Sequence, residues 1–311
     1  MSEREIRVLL IDADRDGERV DVALSGLLGI SRSAVADLLN SGDVVQGKKP
    51  LAKSDRLRVG DRIQVLMPPI IDPLDFTKVV SEKLTIVYED SDVVVVNKPV
   101  GVAAHPSPGW NGPTVLGDLI AHGHAISTSG AEERKGIVQR LDVGTSGLMV
   151  VAKHEDSYIA LKRQFKERTV SKVYHALVQG HMDPSEGTID APIGRHPRED
   201  YRFAVVADGK ESITHFSLIE FFPSATLLKV ELETGRTHQI RVHFNALRHP
   251  LVGDLAYGAD PVLADRLELK RPWLHAIELS FDQPSSGDRI RLTAEYPSDL
   301  KLALERLAKP S

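Results

Sequence analysis

The chain has 311 residues, 41% of them hydrophobic, and a formal net charge of −5; this length and composition suit about two globular domains, each with a buried core. It contains no cysteine, which excludes disulfides, thiolate catalysis and cysteine-bearing zinc sites. No apolar run reaches the ~18 residues that read as a membrane span, and the opening Met-Ser-Glu-Arg-Glu-Ile lacks the pattern of a secretory signal, so a cytoplasmic protein with no membrane partner is expected.

From Glu18 to Leu66 the pattern predicts two short helices followed by strands. Ser31 can cap a helix over Arg32 to Leu39, and Gly42 can stop it. Two strands follow, Asp43 to Gly47 and Val59 to Val65, separated by turn residues around Lys48-Lys49-Pro50. Residues 1–66, with a core from about 18, therefore read as a small α/β-hairpin domain. Met67 to Lys83 carries Pro68, Pro69 and Pro73 without any sustained period and reads as a linker.

A second domain is expected over residues 84–311. Its predicted strands are Leu84–Tyr88, Val93–Val96, Gly147–Lys153, Lys172–Gly180, Ser212–Phe221 and Thr226–Glu233. Helices are predicted at Leu116–Ala121, at Asp156–Glu167 with Tyr158, Leu161 and Phe165 on one face, and at Thr237–Leu247 with Ile240, His243 and Leu247 on one face. Strands and helices do not alternate regularly, so the expected class is α+β, built on a β-rich mixed or antiparallel sheet. His122 to Lys135, rich in glycine, serine and charge, reads as an exposed and mobile insertion.

The negative balance means that any surface for a polyanion must rest on a local excess of cations. Residues 130–180 hold nine lysines and arginines against six acids, although charge alone favours a solvated helix face of mixed sign. Within that stretch, Gly136-Ile-Val-Gln-Arg140-Leu-Asp142-Val-Gly-Thr-Ser-Gly147 is a polar loop between two apolar runs. Asp142 there can be a nucleophile, a general base or a turn cap, and spacing alone favours the cap. Gly144 to Leu148 lacks the last glycine of a nucleophile elbow, and there is no phosphate loop. His238 and His243 lack zincin spacing, so no metal is expected.

Several separated motifs, in order, carry a family resemblance over Glu18 to Leu300. They are Val96-Asn97-Lys98-Pro99-Val100-Gly101 with His105-Pro106; Arg140-Leu141-Asp142 with Thr145-Ser146-Gly147; Ser171-Lys172-Val173-Tyr174; and Thr234-Gly235-Arg236-Thr237-His238-Gln239-Ile240-Arg241-Val242-His243. The sequence resembles the RluA-type pseudouridine synthases. Ser31-Arg32-Ser33 and Gly60-Asp61 resemble the S-four-type RNA-binding module, which together with the catalytic pattern is most similar to the D-type large-subunit branch of that family. Two departures are Gln139, where the family commonly has histidine, and Val143, where many relatives have a cation. The Gln46-Gly47 turn also stands where the module usually has Asn-Gly.

The resemblance implies an isomerase that converts uridines of large-subunit (23S) ribosomal RNA to pseudouridine without any cofactor. It assigns Asp142 as the essential carboxylate, Arg241 as its basic partner and Tyr174 as the active-site tyrosine. Arg140 is implied to fill the space of the displaced base or hold a phosphate, and Arg236, Thr237, His238, Asn97, Lys98, His105 and Arg32 to bind substrate or line its pocket. A cation beside a carboxylate favours its ionised form. The expected partner is RNA, alone or within ribosomal subunits or their precursors, and a monomer is expected. The competing readings are a non-catalytic RNA-binding or ribosome-assembly factor, indifferent to Asp142→Asn, and a metal-assisted hydrolase on His238 and His243.

Overall fold

The computed structural model describes residues 5–28, 32–67, 79–81, 84–107, 110–131, 134–199 and 202–308, with the side chains of 32–34 also outside the description. The chain divides into two units, Met1–Asp75 and Phe76–Ser311. Most of the expected linker lies outside the described residues.

The first unit contains β1 (Ile6–Leu10), α1 (Val20–Leu28), α2 (Arg32–Asn40), β2 (Val44–Gln46), β3 (Lys49–Pro50) and β4 (Arg62–Leu66). The strands form an antiparallel sheet in the order β1-β4-β2-β3. Helix α1 buries Val20, Ala23, Leu24 and Leu28, the spacing of one helical face, against Val35, Leu38, Val44, Ile63 and Val65. Gly42 stops α2 as expected: at φ +76 it lets its own N–H reach the Leu39 carbonyl at 3.2 Å and the Asp43 N–H reach that of Leu38 at 2.9 Å, the paired bonds of a Schellman cap. Ser31 lies outside the described residues. The Gln46 side chain donates to Asp61 Oδ1 at 2.7 Å, tying the β2–β3 turn to the Gly60-Asp61 turn.

The second unit contains β5 (Thr85–Glu89), β6 (Val93–Lys98), α3 (Val115–Ala121), β7 (Ser146–Ala152), α4 (Glu155–Lys166), β8 (Ser171–Gln179), β9 (Glu186–Asp190), β10 (Ile193–Arg195), β11 (Phe203–Val205), β12 (Ile213–Phe222), β13 (Ala225–Leu232), α5 (Gln239–Ala246), α6 (Pro261–Arg266), β14 (Leu274–Asp282), β15 (Arg289–Thr293) and α7 (Ser298–Ala308). Nine strands form one sheet in the order β5-β6-β7-β14-β8-β13-β12-β9, with β15 beside β14. Every pairing within it is antiparallel except β7 with β14. This is the α+β, mixed-sheet class expected from the sequence.

The sheet is buried on both faces in its centre, which explains the unbroken valines of β6. Val94 and Val96 join Met149 and Val151 in one core, whereas Val93 and Val95 join Leu148 and Val150 in another beneath α4. The His122–Lys135 stretch is mostly exposed, but it is not a free insertion. Its Ser127 N–H donates to the Ala152 carbonyl at 3.0 Å, and Ile126 packs on the core.

Candidate active site

The loop ahead of β7 carries Asp142. Thr145 N–H donates to the Asp142 carbonyl at 2.9 Å, so the main chain closes this turn and leaves the carboxylate available, which removes the cap reading. The side chain is 17% exposed, with Arg241 Nη1 at 3.5 Å and His238 Nε2 at 3.7 Å from Oδ2. It opens on a cleft of about 1200 Å³. The Val143 carbonyl accepts from Gly101 N–H at 2.9 Å, which joins the loop to the Asn97–Gly101 motif.

Arg241 projects from the first turn of α5. Asp254, 1% exposed, accepts from its Nε at 2.6 Å and its Nη2 at 2.8 Å, a bidentate grip. The guanidinium also lies 4.7 Å from the centre of the Tyr257 ring. Burial works against this cation, but the Asp254 hydrogen bonds and the charges of Asp254 and Asp142 hold its pKa above the ordinary value.

Helix α5 starts two residues later than the predicted Thr237 because His238 adopts the left-handed region at φ 57. That backbone costs a non-glycine residue about 1–3 kcal/mol; it places the ring between Asp142 and Tyr257. The Phe203 N–H donates to the Tyr257 oxygen at 3.1 Å, and the Tyr257 hydroxyl donates to His238 Nδ1 at 2.8 Å. This assignment leaves the ring proton on Nε2, facing Asp142. Burial, aided by Arg241, lowers the His238 pKa against the pull of Asp142, so the ring is neutral near pH 7.

Behind the loop, the buried Arg271 donates to the Gly144 carbonyl at 3.4 Å and to Ser146 Oγ at 3.1 Å while gripping Asp299 at 2.7 and 3.0 Å. Ser146 in turn bonds His275 Nδ1 at 2.9 Å. At Gly147, φ is +118 and a Cβ would stand 2.2 Å from the Ala276 oxygen, so only glycine lets β7 approach β14 here.

Tyr174, Arg140, Arg236, Thr237, His238 and His105 line the same cleft as Asp142 and Arg241. Tyr174 is 7% exposed; burial and then the Asp142 charge raise its pKa, so the hydroxyl stays protonated. His105 donates from Nδ1 to the Pro106 carbonyl at 2.7 Å. Asn97 and Lys98 are not in the cleft wall. Lys98 is wholly buried and donates to the carbonyls of Pro99 at 3.1 Å and Val102 at 2.7 Å, and burial brings its pKa down to about 7 although Asp142 raises it. The Arg32 side chain lies outside the description. Gln139 lines the cleft, and its Nε2 has no hydrogen-bond partner among the described residues.

His243 does not join His238. Its Nδ1 accepts from Thr214 Oγ1 at 2.9 Å and its Nε2 donates to the Ala191 carbonyl at 3.0 Å. Among the described residues, no group of three or more histidines and acids could hold a metal ion. Sequence reasoning missed Asp254, Tyr257 and Arg271; the available signal was an acid and a tyrosine three apart in a loop of apolar and small residues, Leu251-Val-Gly-Asp254-Leu-Ala-Tyr257.

Comparison with known proteins identifies the family. The RNA pseudouridylate synthase family matches residues 92–246, the span that holds Asp142, Tyr174 and Arg241. An uncharacterized RNA pseudouridine synthase of Mycobacterium bovis is 57% identical, over 94% of this chain and 94% of its own. A ribosomal large subunit pseudouridine synthase D of Xanthomonas campestris is 37% identical, over 98% of this chain and 94% of its own. The solved structure of human RNA pseudouridylate synthase domain containing 1 matches with a TM-score of 0.58 and 29% identity, covering 74% of this chain and 96% of that one. With that site, sheet and set of relatives, the chain belongs to the RluA-type RNA pseudouridine synthases, isomerases that act on RNA.

Proposed function

We propose that the protein isomerises uridines of large-subunit ribosomal RNA, with Asp142 as the catalytic carboxylate and Arg241 as its fixed counter-ion. The carrying observation is an open carboxylate 3.5 Å from a guanidinium that Asp254 already orients. An oriented cation favours the ionised carboxylate that attack on the ribose, or removal of a sugar proton, requires. The N-glycosidic bond breaks, the uracil turns, a bond forms from ribose to carbon five, the carbon-five proton is released to solvent and the freed N1 takes one up; no redox change or energy input is involved. Tyr174 offers a ring face to the flipped base, and Arg140, exposed on the cleft rim, takes its vacated place or a phosphate. Arg236, Thr237, His238 and His105 complete the pocket wall, and Asn97 and Lys98 brace the floor of the catalytic loop.

The large-subunit target is taken from the relatives named for it. The first unit, with its helix pair on an antiparallel sheet, acts in this reading as an S-four-type RNA-binding domain over residues 1–66, with Arg32 at the head of α2. A cytoplasmic monomer working on free or subunit-bound ribosomal RNA fits the reading, and among the described residues no helix is long and apolar enough to cross a membrane. The test is tritium release from carbon five of uridine in a labelled large-subunit RNA transcript and in ribosomal subunits. Wild type is expected to release tritium and Asp142→Asn to release none; equal release by both would overturn the role of Asp142, and release by neither would overturn the choice of substrate.

A further inference from the structure

Helix α4 turns one side to the catalytic cleft. Tyr158, Lys162, Phe165 and Lys166 all line it, and their spacing of four, seven and eight residues is that of a single helical stripe. The adjoining stripe, Ser157, Leu161 and Gln164, is buried in the protein. Lys162 and Lys166 are exposed and stand one turn apart, about 6 Å along the axis. Two other cations of the same stretch are already neutralised: Lys153 pairs with Glu89 at 2.8 Å, and Arg168 with Glu233 at 2.8 Å and Glu211 at 3.0 Å, whereas Arg163 of α4 lines the cleft beside the stripe. Lys162 and Lys166 have no ion-pair partner among the described residues.

The stripe connects with the site through Lys172. That residue is two before Tyr174 on β8 and lines the cleft with it, and its Nζ lies 5.9 Å from the centre of the Phe165 ring. Burial and then Arg168 lower the Lys172 pKa to about 8, which still leaves it a cation near pH 7. From Asp142 and Tyr174 outward, the cleft wall therefore runs through Lys172 and Phe165 to Lys166 and Lys162. In a chain of net charge −5, this is a narrow cationic track on an acidic body.

We propose that this face of α4 holds successive phosphates of the unpaired RNA strand flanking the target uridine. The proposal rests on the substrate reading above. An unpaired flank is the form in which a base can leave its stack at least cost, and lysines one helical turn apart present point charges to neighbouring phosphates of one strand, with Phe165 between them and Tyr158 one turn before Lys162 as apolar surface for the sugars. The track adds affinity without touching the reacting atoms.

The full-length Lys162→Ala/Lys166→Ala variant, bound to a large-subunit ribosomal RNA transcript between 50 and 200 mM KCl, tests this. Each lost phosphate contact on a single strand flattens the plot of log affinity against log salt by about 0.7, so a slope shallower by about 1.4 is expected. Wild type would then lose about sevenfold more affinity than the variant across that range. Tritium release at saturating RNA should keep its kcat while KM rises. Lys301→Ala/Arg306→Ala on α7 removes the same charge away from the cleft and should leave the slope unchanged. An unchanged slope in the α4 variant, or an equal change in the α7 variant, overturns the track. A wild type that binds RNA with the expected slopes but releases no tritium sinks the choice of large-subunit RNA as substrate and leaves the track standing.

Discussion

Arg241 faces two carboxylates with different duties. Asp254 takes two of its nitrogens at hydrogen-bond distance, leaving Nη1 towards Asp142 at 3.5 Å. Removing one partner of a buried ion pair leaves the other charge stranded, at about 3–5 kcal/mol. Asp254→Asn is therefore expected to lower stability in urea denaturation by an amount near that range and to slow tritium release; a variant as stable as wild type would show that the grip holds nothing. Arg241→Lys keeps the charge but offers no planar fork, and it should fold while losing about 10²-fold in kcat, the scale of one lost electrostatic contact. Asp142, Arg241 and Tyr174 were legible because each sits in an ordered motif. Asp254 and Tyr257 were not, since no spacing rule links residue 241 to 254 and only the turn after α5 brings them beneath the guanidinium. Lys98 was read towards the substrate, yet a lysine in a motif looks the same in sequence whether it points to a cleft or to the carbonyls of Pro99 and Val102.

At the scale of elements, the joint between β8 and β14 is expected to make stability depend on pH. His175 and His275 are direct neighbours across the two strands, and both have pKa values lowered to about 4, first by burial. The unfolded chain, with imidazoles near 6.5, binds protons between about pH 4 and 6.5 that the folded chain refuses, so the contribution is complete above about pH 6.5 and lost as pH falls through that window. Each histidine accounts for on the order of 1–3 kcal/mol. The Tm of wild type should drop between pH 7 and 4.5 more steeply than that of His175→Gln/His275→Gln; parallel curves would refute the assignment. The neighbouring strands were predicted from the sequence, but β14 was not. Its Leu274-His-Ala-Ile-Glu-Leu-Ser-Phe-Asp pattern breaks alternation at Ile277, where the register with β8 also shifts, so a period-2 reading fails at a bulge that the fold uses. Helix α7, with Leu300, Ala303 and Leu307 buried on one side, was there to be read from its spacing.

For the whole molecule, two separate cores imply two separable units. Among the described residues, the first unit's core draws on residues before 68, and the other clusters on residues after 83. A fragment of residues 79–311 is expected to melt cooperatively and to keep tritium release on RNA at high concentration, with weaker binding than the full chain; an unfolded fragment in circular dichroism would show that the second unit depends on the first. The sheet order has a further consequence. Among the described residues, strands β5 to β7 and strands β8, β13, β12 and β9 share no ladder except through β14, which follows both groups in the chain. During synthesis on a ribosome, the two halves of the catalytic sheet wait for residues 274–282 before they can join. Asp142 and Tyr174, one on each side of that seam, are thus brought to face each other only when the nascent chain has delivered its keystone strand, and an unfinished enzyme has no assembled site to offer the RNA around it.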